Sequence, residues 1–190
     1  MITIGLTGGI GSGKSVVASL LELYGMAVFI SDIESKRLVA TSPLIRERLT
    51  ALLGSSIFDA NGLNSRRMAS LIFNNTKLLE QVNAIIHPEV ARHFKMWAER
   101  QTVSFVVFES AILFESNFNH LTDICLMVYA PRELRIKRVM ERDRITEAEV
   151  LHRMQHQISD EEKRIRADYV IHNDGIHALI PQVERWYRYQ

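Results

Sequence analysis

The sequence lacks most of the features that mark an unusual environment or a polyanionic partner. Its 190 residues include one cysteine, Cys125, so no disulfide can form within the chain, and we interpret that residue as a small buried hydrophobe. Basic and acidic residues nearly cancel, 23 against 22, so no overall charge favours nucleic acid or an anionic membrane. No apolar run approaches the ~20 residues of a membrane span, and the first residues lack the basic-then-apolar build of a secretory signal. We therefore expect a cytoplasmic protein, working as a monomer, without nucleic-acid or membrane partners.

Short apolar runs alternate with helical patterns along most of the chain. The runs occupy residues 2–7, 27–30, 105–108, 124–129 and 169–172. Alternation of this kind predicts βαβ units, and hence an α/β fold with a mostly parallel five-stranded sheet flanked by helices.

Capping residues mark where two of the later helices should begin. Thr146 with Glu149, and Ser159 with Glu162, have the spacing of a capping box. Residues 179–187 form the last predicted helix, which we expect to pack back on the core.

Residues 33–101 differ from the rest because they contain no convincing strand. Pro43, Gly54, Pro88 and the pair Asn61-Gly62 separate helical segments there. We interpret this stretch as a helical insertion between the second and third strands. The predicted division is therefore a core of residues 1–32 and 102–190 and an insertion of residues 33–101.

A glycine-rich loop follows the first predicted strand. Residues 8–15 read GGIGSGKS, which fits the phosphate-loop pattern G-x-x-x-x-G-K-[ST], and a predicted helix over 15–24, stopped by Gly25, comes next. Glycines let successive N–H groups turn inward, so that they and the helix N-terminus face the β-phosphate of a nucleotide. Lys14 reaches the β and γ oxygens, and the Ser15 hydroxyl is placed to ligate Mg²⁺. The predicted nucleotide contacts in this loop are Gly9, Ile10, Gly11, Ser12, Gly13, Lys14 and Ser15.

Two acidic residues directly follow predicted strands. Ligands bind at the carboxyl ends of strands in open parallel sheets, so we expect Asp32, after the second strand, to lie near the phosphate loop. There it could orient an acceptor hydroxyl and take its proton; the alternative is that it caps the next helix. Glu109, after the third strand, is the natural second acidic group near Mg²⁺. Glu115 is interpreted as a surface residue.

Three arginines share one face of a predicted helix. Arg135, Arg138 and Arg142 stand at i, i+3 and i+7. Such a stripe can clamp a polyphosphate as charge shifts in the transition state, or it can be a solvated face paired with Glu141 and Asp143.

Histidines give a weaker signal. His152 and His156 have i, i+4 spacing, which can bind a metal, but the glutamate of H-E-x-x-H is absent. His87 is a single residue and does not by itself indicate a functional site.

The chain resembles the dephospho-CoA kinase family in five segments that occur in the family's order. They are residues 4–15 (IGLTGGIGSGKS), 83–88 (NAIIHP), 109–115 (ESAILFE), 138–143 (RVMERD) and 167–175 (ADYVIHNDG). A phosphate loop alone is generic, whereas the ordered set is specific.

The resemblance implies ATP-dependent phosphorylation of the ribose 3′-hydroxyl of dephospho-CoA, the last step of coenzyme A synthesis, with Mg²⁺ as cofactor. It implies a phosphate-loop NTPase core with a lid, and it makes the helical insertion the part that binds this small-molecule substrate. Asp32 matches the family's proposed base, and Asn173 matches a position near the ATP adenine. The catalytic set that follows is Asp32, Lys14, Arg142 and Arg138, with Asp32 and His87 expected to bind the acceptor and Ser15 and Glu109 the metal.

Several positions depart from the family's pattern. Ile30 and Glu109 stand where the family has Asp, Ala111 where it has Pro, and Arg135 where it often has Gln. Asn64-Ser65 replaces a common Asp-Arg pair. Two other functions are considered: a different phosphate-loop kinase, acting on a nucleotide or small alcohol, and a GTPase switch. Residues 59–62 spell D-x-x-G, but the guanine-reading N-K-x-D is absent.

Overall fold

The computed structural model describes residues 1–59, 62–72 and 75–189, and the chain forms two compact units. One unit consists of Met1–Ile30 with Gln101–Gln190, and the other is Ser31–Arg100. These limits differ by one or two residues from the division at 32/33 and 101/102. That the second unit binds the acceptor stays a prediction.

The strands and helices alternate in the first unit, whereas the second is mainly helical. The strands are β1 (Ile2–Thr7), β2 (Ala27–Ile30), β3 (Phe58–Asp59), β4 (Gly62–Leu63), β5 (Phe105–Glu109), β6 (Ile124–Tyr129) and β7 (Tyr169–His172). The helices are α1 (Lys14–Leu23), α2 (Ser31–Thr41), α3 (Pro43–Leu53), α4 (Ser65–Ile72), α5 (Thr76–Ala98), α6 (Arg132–Asp143), α7 (Glu147–Met154), α8 (Asp160–Arg166) and α9 (Leu179–Arg188).

A five-stranded parallel sheet organises the first unit, as the sequence predicts. The strand order is β2-β5-β1-β6-β7, and each neighbouring pair is parallel. Strands read as continuous apolar runs because helices cover both faces of such a sheet. Glu109 is the last residue of β5 rather than the first residue after it, paired in register with Leu6 and Ile30.

The core of this unit places the amino-terminal end of α1 beside β1. Val17 and Leu21 of α1 are fully buried in one cluster with Ile4 and Leu6 of β1. Trp186 of α9 joins that cluster, so the last helix packs back on the core as expected. Gly25 ends the α1 turn with a φ of 82°, the left-handed conformation that favours glycine.

Side-chain caps fix the start of α7 and α8. Thr146 and Glu149 form the predicted capping box, each accepting from the other's backbone N–H. The Ser159 hydroxyl accepts from the Glu162 N–H at 3.0 Å. Both helices therefore begin where the sequence places them.

The helical unit differs from the sequence expectation in two places. Pro88 does not separate helices: it lies inside the 23-residue helix α5. Burial of Ile86, Val90 and Phe94 on either side of it holds the helix together despite the missing N–H donor. Residues 33–101 also contain a short antiparallel pair, β3 with β4, that the pattern missed because two-residue strands carry no periodicity. Of the expected Asn61-Gly62 turn, Asn61 lies outside the described residues.

Over residues 1–59, 62–72 and 75–189, no helix has the length and apolar character needed to cross a membrane.

Candidate active site

The glycine-rich loop joins β1 to α1 and is shaped by close backbone contacts. Gly13, the N-cap residue of α1, has a φ of 92°. A Cβ at Gly13 would collide with Nδ2 of Asn173, and a Cβ at Gly9 would occupy the place of the Arg135 guanidinium. A side chain at Gly13 would therefore be strained by its backbone conformation as well as by Asn173, whereas one at Gly9 would displace the Arg135 guanidinium. Helix α1 begins at Lys14, so its first N–H groups and the positive end of its dipole lie at the loop.

Lys14 bends back across this loop. Its Nζ donates to the Gly8 carbonyl at 3.0 Å and lies 3.9 Å from Oε1 of Glu109. Glu109 is buried at the carboxyl end of β5, the neighbour of β1. The fold thus brings the loop lysine and the expected acidic partner together, while Ser15 lies exposed on the first turn of α1.

Asn173 follows β7 and contacts the same loop from the other side. Its Nδ2 donates to the Ser12 carbonyl at 2.8 Å, and its own carbonyl accepts from Nη1 of Arg138 at 3.1 Å. Its backbone N–H donates to the Tyr129 carbonyl at 2.7 Å, which extends the β6–β7 pairing by one residue. Asn173 and Arg138 are thereby fixed beside the loop at the carboxyl edge of the sheet.

The three arginines of α6 have different surroundings, although their spacing places them on one side of the helix. Arg135 is 7% exposed, and its Nη2 donates to Asp160 Oδ2 at 2.5 Å. Arg138 is half-buried, whereas Arg142 is exposed and forms a two-bond pair with Asp143. Hydrogen bonding to Arg142 lowers the pKa of Asp143. Arg135 and Arg142, seven residues apart, lie on nearly the same face of α6. Their exposure differs because Arg135 packs against Gly9 and Asp160, whereas Arg142 lies in the last turn of the helix beside Asp143.

Comparison with known proteins decides the family. The model of the family described as dephospho-CoA kinase matches residues 2–178. The dephospho-CoA kinase of Bacteroides fragilis (strain YCH46) is 48% identical over 183 residues, which cover 96% of this chain and 89% of the relative. This chain belongs to the dephospho-CoA kinase family. It is a kinase, therefore, and not the GTPase switch considered above.

Solved structures agree with that assignment. The Thermus thermophilus protein TT1252 superposes with a TM-score of 0.85 at 34% identity, covering 99% of this chain and 95% of that one. Shikimate kinase from Acinetobacter baumannii superposes with a TM-score of 0.57 at 18% identity over 100% and 92% of the two chains. The second likeness concerns the fold alone.

A buried polar cluster in this family member was not anticipated from its sequence. It consists of Arg135, Asp160 and Lys163 with Glu115 and Gln157. Lys163 is fully buried, and its Nζ lies 2.7 Å from the Ala111 carbonyl and 3.0 Å from Glu115 Oε1. Burial lowers the pKa of Lys163 and raises that of Asp160, and the opposite charges nearby counter both effects.

This cluster corrects the interpretation of Glu115 as a surface residue. Its Oε1 also accepts from the Ile158 N–H at 2.9 Å. No local pattern could have shown it, because Lys163 stands in a run of charged residues that is typical of a solvated helix. Only the tertiary fold reveals that one of those charges points inward.

Asp32 and His87 belong to the helical unit. Asp32 is exposed in the first turn of α2, one residue inside the helix, so it is not the N-cap residue of that helix. His87 lies in α5, and burial lowers its pKa. Their predicted roles toward the acceptor stay predictions.

The pair formed by His152 on α7 and His156, which follows that helix, supplies no metal centre within the described residues. The rings of His152 and His156 meet edge to face at 5.1 Å between centroids. No group of three or more His, Cys, Asp or Glu suited to a metal ion occurs in residues 1–59, 62–72 and 75–189.

Proposed function

We propose that this kinase transfers the γ-phosphoryl group of ATP to the ribose 3′-hydroxyl of dephospho-CoA, giving coenzyme A and ADP. The observation that carries the proposal is the loop of residues 8–15 with Lys14 drawn across it, in a chain that matches the family along residues 2–178. The substrate named in the relatives' descriptions is thereby proposed for this chain.

In this proposal, the loop and the N-terminus of α1 bind the triphosphate. Loop N–H groups and the N-terminus of α1 provide donors and a positive partial charge for the phosphates. Lys14 exchanges its contact with the Gly8 carbonyl for phosphate oxygens, which brings its charge to the group being transferred. Gly9, Ile10, Gly11, Ser12, Gly13 and Ser15 complete the proposed loop contacts.

Magnesium fits the donor set of this site. Mg²⁺ is commonly held by one or two protein oxygens together with phosphates and water, and Ser15 and Glu109 are the oxygen donors proposed here. Glu109 supports this role because it is a buried carboxylate 3.9 Å from Lys14, at the end of the strand next to β1. Held there by Ser15 and Glu109, the ion would neutralise charge that develops on the phosphates during transfer.

Asp32 is proposed to hold the acceptor hydroxyl in line and to accept its proton late in the transfer. A loose transition state needs little early bond formation to the acceptor, so a carboxylate that takes the proton late suffices. His87 is proposed to help bind the acceptor.

Arg138 and Arg142 are proposed to stabilise the phosphates in the transition state. Arg138 is already fixed beside the loop through Asn173, which supports an assignment to the nucleotide, with Asn173 near the adenine. Arg142 lies exposed with Asp143 as its partner, so its pairing can be exchanged at modest cost.

An acceptor panel tests the proposal. With ATP and Mg²⁺, we expect kcat/KM for dephospho-CoA to exceed that for AMP or shikimate by at least about a hundredfold, roughly 3 kcal/mol of discrimination. Comparable turnover of AMP would instead favour the alternative of a nucleotide kinase.

We further propose that the enzyme works as a cytoplasmic monomer without nucleic-acid or membrane partners. The near-balance of 23 basic and 22 acidic residues supports the part of this proposal that concerns nucleic acid and membranes. Light scattering should give a mass near 21.8 kDa, and a value twice that would refute the monomer.

A further inference from the structure

Two neighbouring residues of the phosphate loop, Gly9 and Ile10, contact side chains that lie far from them in the sequence. The Ile10 N–H donates to Oε1 of Gln157 at 3.0 Å. The same side chain uses its Nε2 to donate to the Ala111 carbonyl at 3.5 Å. One amide group therefore spans from the phosphate loop to the segment that follows β5 and Glu109.

Gln157 is itself held in place by the buried polar cluster. Lys163 shares the Ala111 carbonyl as acceptor at 2.7 Å and pairs with Glu115. Glu115 in turn accepts from the N–H of Ile158, the residue next to Gln157. Because Lys163 is fully buried, separating its charge from Glu115 is costly, so the backbone at 157–158 is firmly anchored.

A second contact supports the same part of the loop. The Arg135 guanidinium packs against Gly9, in the space that any side chain there would need, and Asp160 holds it at 2.5 Å. Gly9 and Ile10 are thus fixed by adjacent contacts from α6 and from the segment that leads into α8.

We propose that Gln157 is a positioning residue for nucleotide binding: by accepting from Ile10 it holds the phosphate loop in the form that binds a polyphosphate. Hydrogen-bond donors that are already oriented bind an anion without the free-energy cost of reorganising the loop. A glutamine suits the task because one planar amide supplies both the acceptor for Ile10 and the donor for Ala111. The inference rests on the nucleotide binding of the proposed function.

Titration of ADP with Mg²⁺ into the purified enzyme tests this role. Gln157→Met keeps the side chain's length and removes both hydrogen bonds, whereas Gln155→Met makes the same change at an exposed position two residues away. We expect Gln157→Met to raise the Kd for ADP about tenfold, near the upper range for one hydrogen bond, and Gln155→Met to change it less than about twofold. KM for dephospho-CoA should stay within about twofold of wild type.

Hydrogen exchange at the Ile10 amide gives a second, local readout. Exchange there should become faster in Gln157→Met and stay at the wild-type rate in Gln155→Met. Should Gln157→Met be too unstable to titrate, Gln157→Asn replaces it, because its side chain is too short to reach Ile10; the same rise in Kd is expected.

An unchanged Kd for ADP would overturn the proposal. So would equal weakening of both substrates with a lowered thermal midpoint, since that result indicates a structural role alone. The proposed function fails separately: a wild-type enzyme that binds ADP but does not phosphorylate dephospho-CoA would refute the acceptor assignment and leave this test valid.

Discussion

Two lysines of this enzyme contact backbone carbonyls at the carboxyl edge of the sheet, yet their surroundings indicate different roles. Lys163 is fully buried, with Glu115 at 3.0 Å. Lys14 keeps 10% of its side chain exposed, and its Nζ lies 3.9 Å from Oε1 of Glu109. A fully buried ion pair organises the fold, whereas a charge beside a helix N-terminus can contact a substrate phosphate.

This difference predicts two kinds of mutant. Changes in the groups that are proposed to face the substrates should reduce activity at little cost in stability. Changes in the buried cluster should reduce stability first. The following measurements test that separation, from the largest expected effect to the smallest.

Asp32→Asn should show the largest effect on activity. The amide keeps the shape and much of the hydrogen bonding but cannot take the proton, so we expect kcat to fall by about two to four orders of magnitude. ATP affinity and thermal midpoint should stay near wild type, because the residue is exposed on α2. A near-normal kcat would defeat the base assignment and leave Asp32 as a favourable charge in the first turn of a helix.

Lys163→Met should show the largest effect on stability. Removing one partner leaves Glu115 uncompensated, and breaking a buried pair costs about 3–5 kcal/mol of unfolding free energy. Denaturant unfolding should show this loss, and Lys163→Met with Glu115→Gln should recover part of it. The exposed Lys137→Met is the matched control. A Lys163→Met enzyme as stable as that control would contradict the structural role.

Lys14→Met should lower activity and leave stability nearly unchanged, the opposite of Lys163→Met. Removing a charge that faces the transferring phosphoryl group should lower kcat by about a hundredfold or more, with the thermal midpoint near that of Lys137→Met. Full activity in Lys14→Met would mean that the loop is structural. A large loss of stability would remove the contrast between the two lysines.

His87 should give a small effect that appears only with pH. Burial lowers its pKa in the folded enzyme, so the unfolded chain takes up a proton first as pH falls through about 6.5. Stability associated with neutral His87 is therefore present above that pH and lost below it. Thermal midpoints between pH 7.5 and 5.5 should fall less in His87→Gln than in wild type; parallel curves would refute the linkage.

The parts of the fold that were predictable are those fixed by local signals. GGIGSGKS specifies a strand, a loop and a helix at once, and Thr146 with Glu149 marks a helix start regardless of its surroundings. Pro88 was misjudged because tertiary burial overrides its helix-breaking tendency in α5.

The candidate site divides in the same way. Lys14, Ser15 and Asn173 were identified from motifs, and the structure brings Lys14 and Asn173 to one loop. Gln157 and Lys163 could not be identified from the sequence, because a polar side chain in a charged stretch gives no sign of the direction in which it points. Long-range hydrogen bonds such as that from Ile10 to Gln157, 147 residues apart, exist only in the folded chain.

The site of phosphorylation on the acceptor tests the central claim most directly. After incubation with ATP, Mg²⁺ and dephospho-CoA, the product should gain one phosphoryl group by mass, and its new phosphorus signal should couple to the ribose H3′ proton. That result, reached about a hundredfold or more slowly by Lys14→Met under the same conditions, is what the account predicts. Coupling to H2′, or an unmodified acceptor with ATP intact, would contradict it.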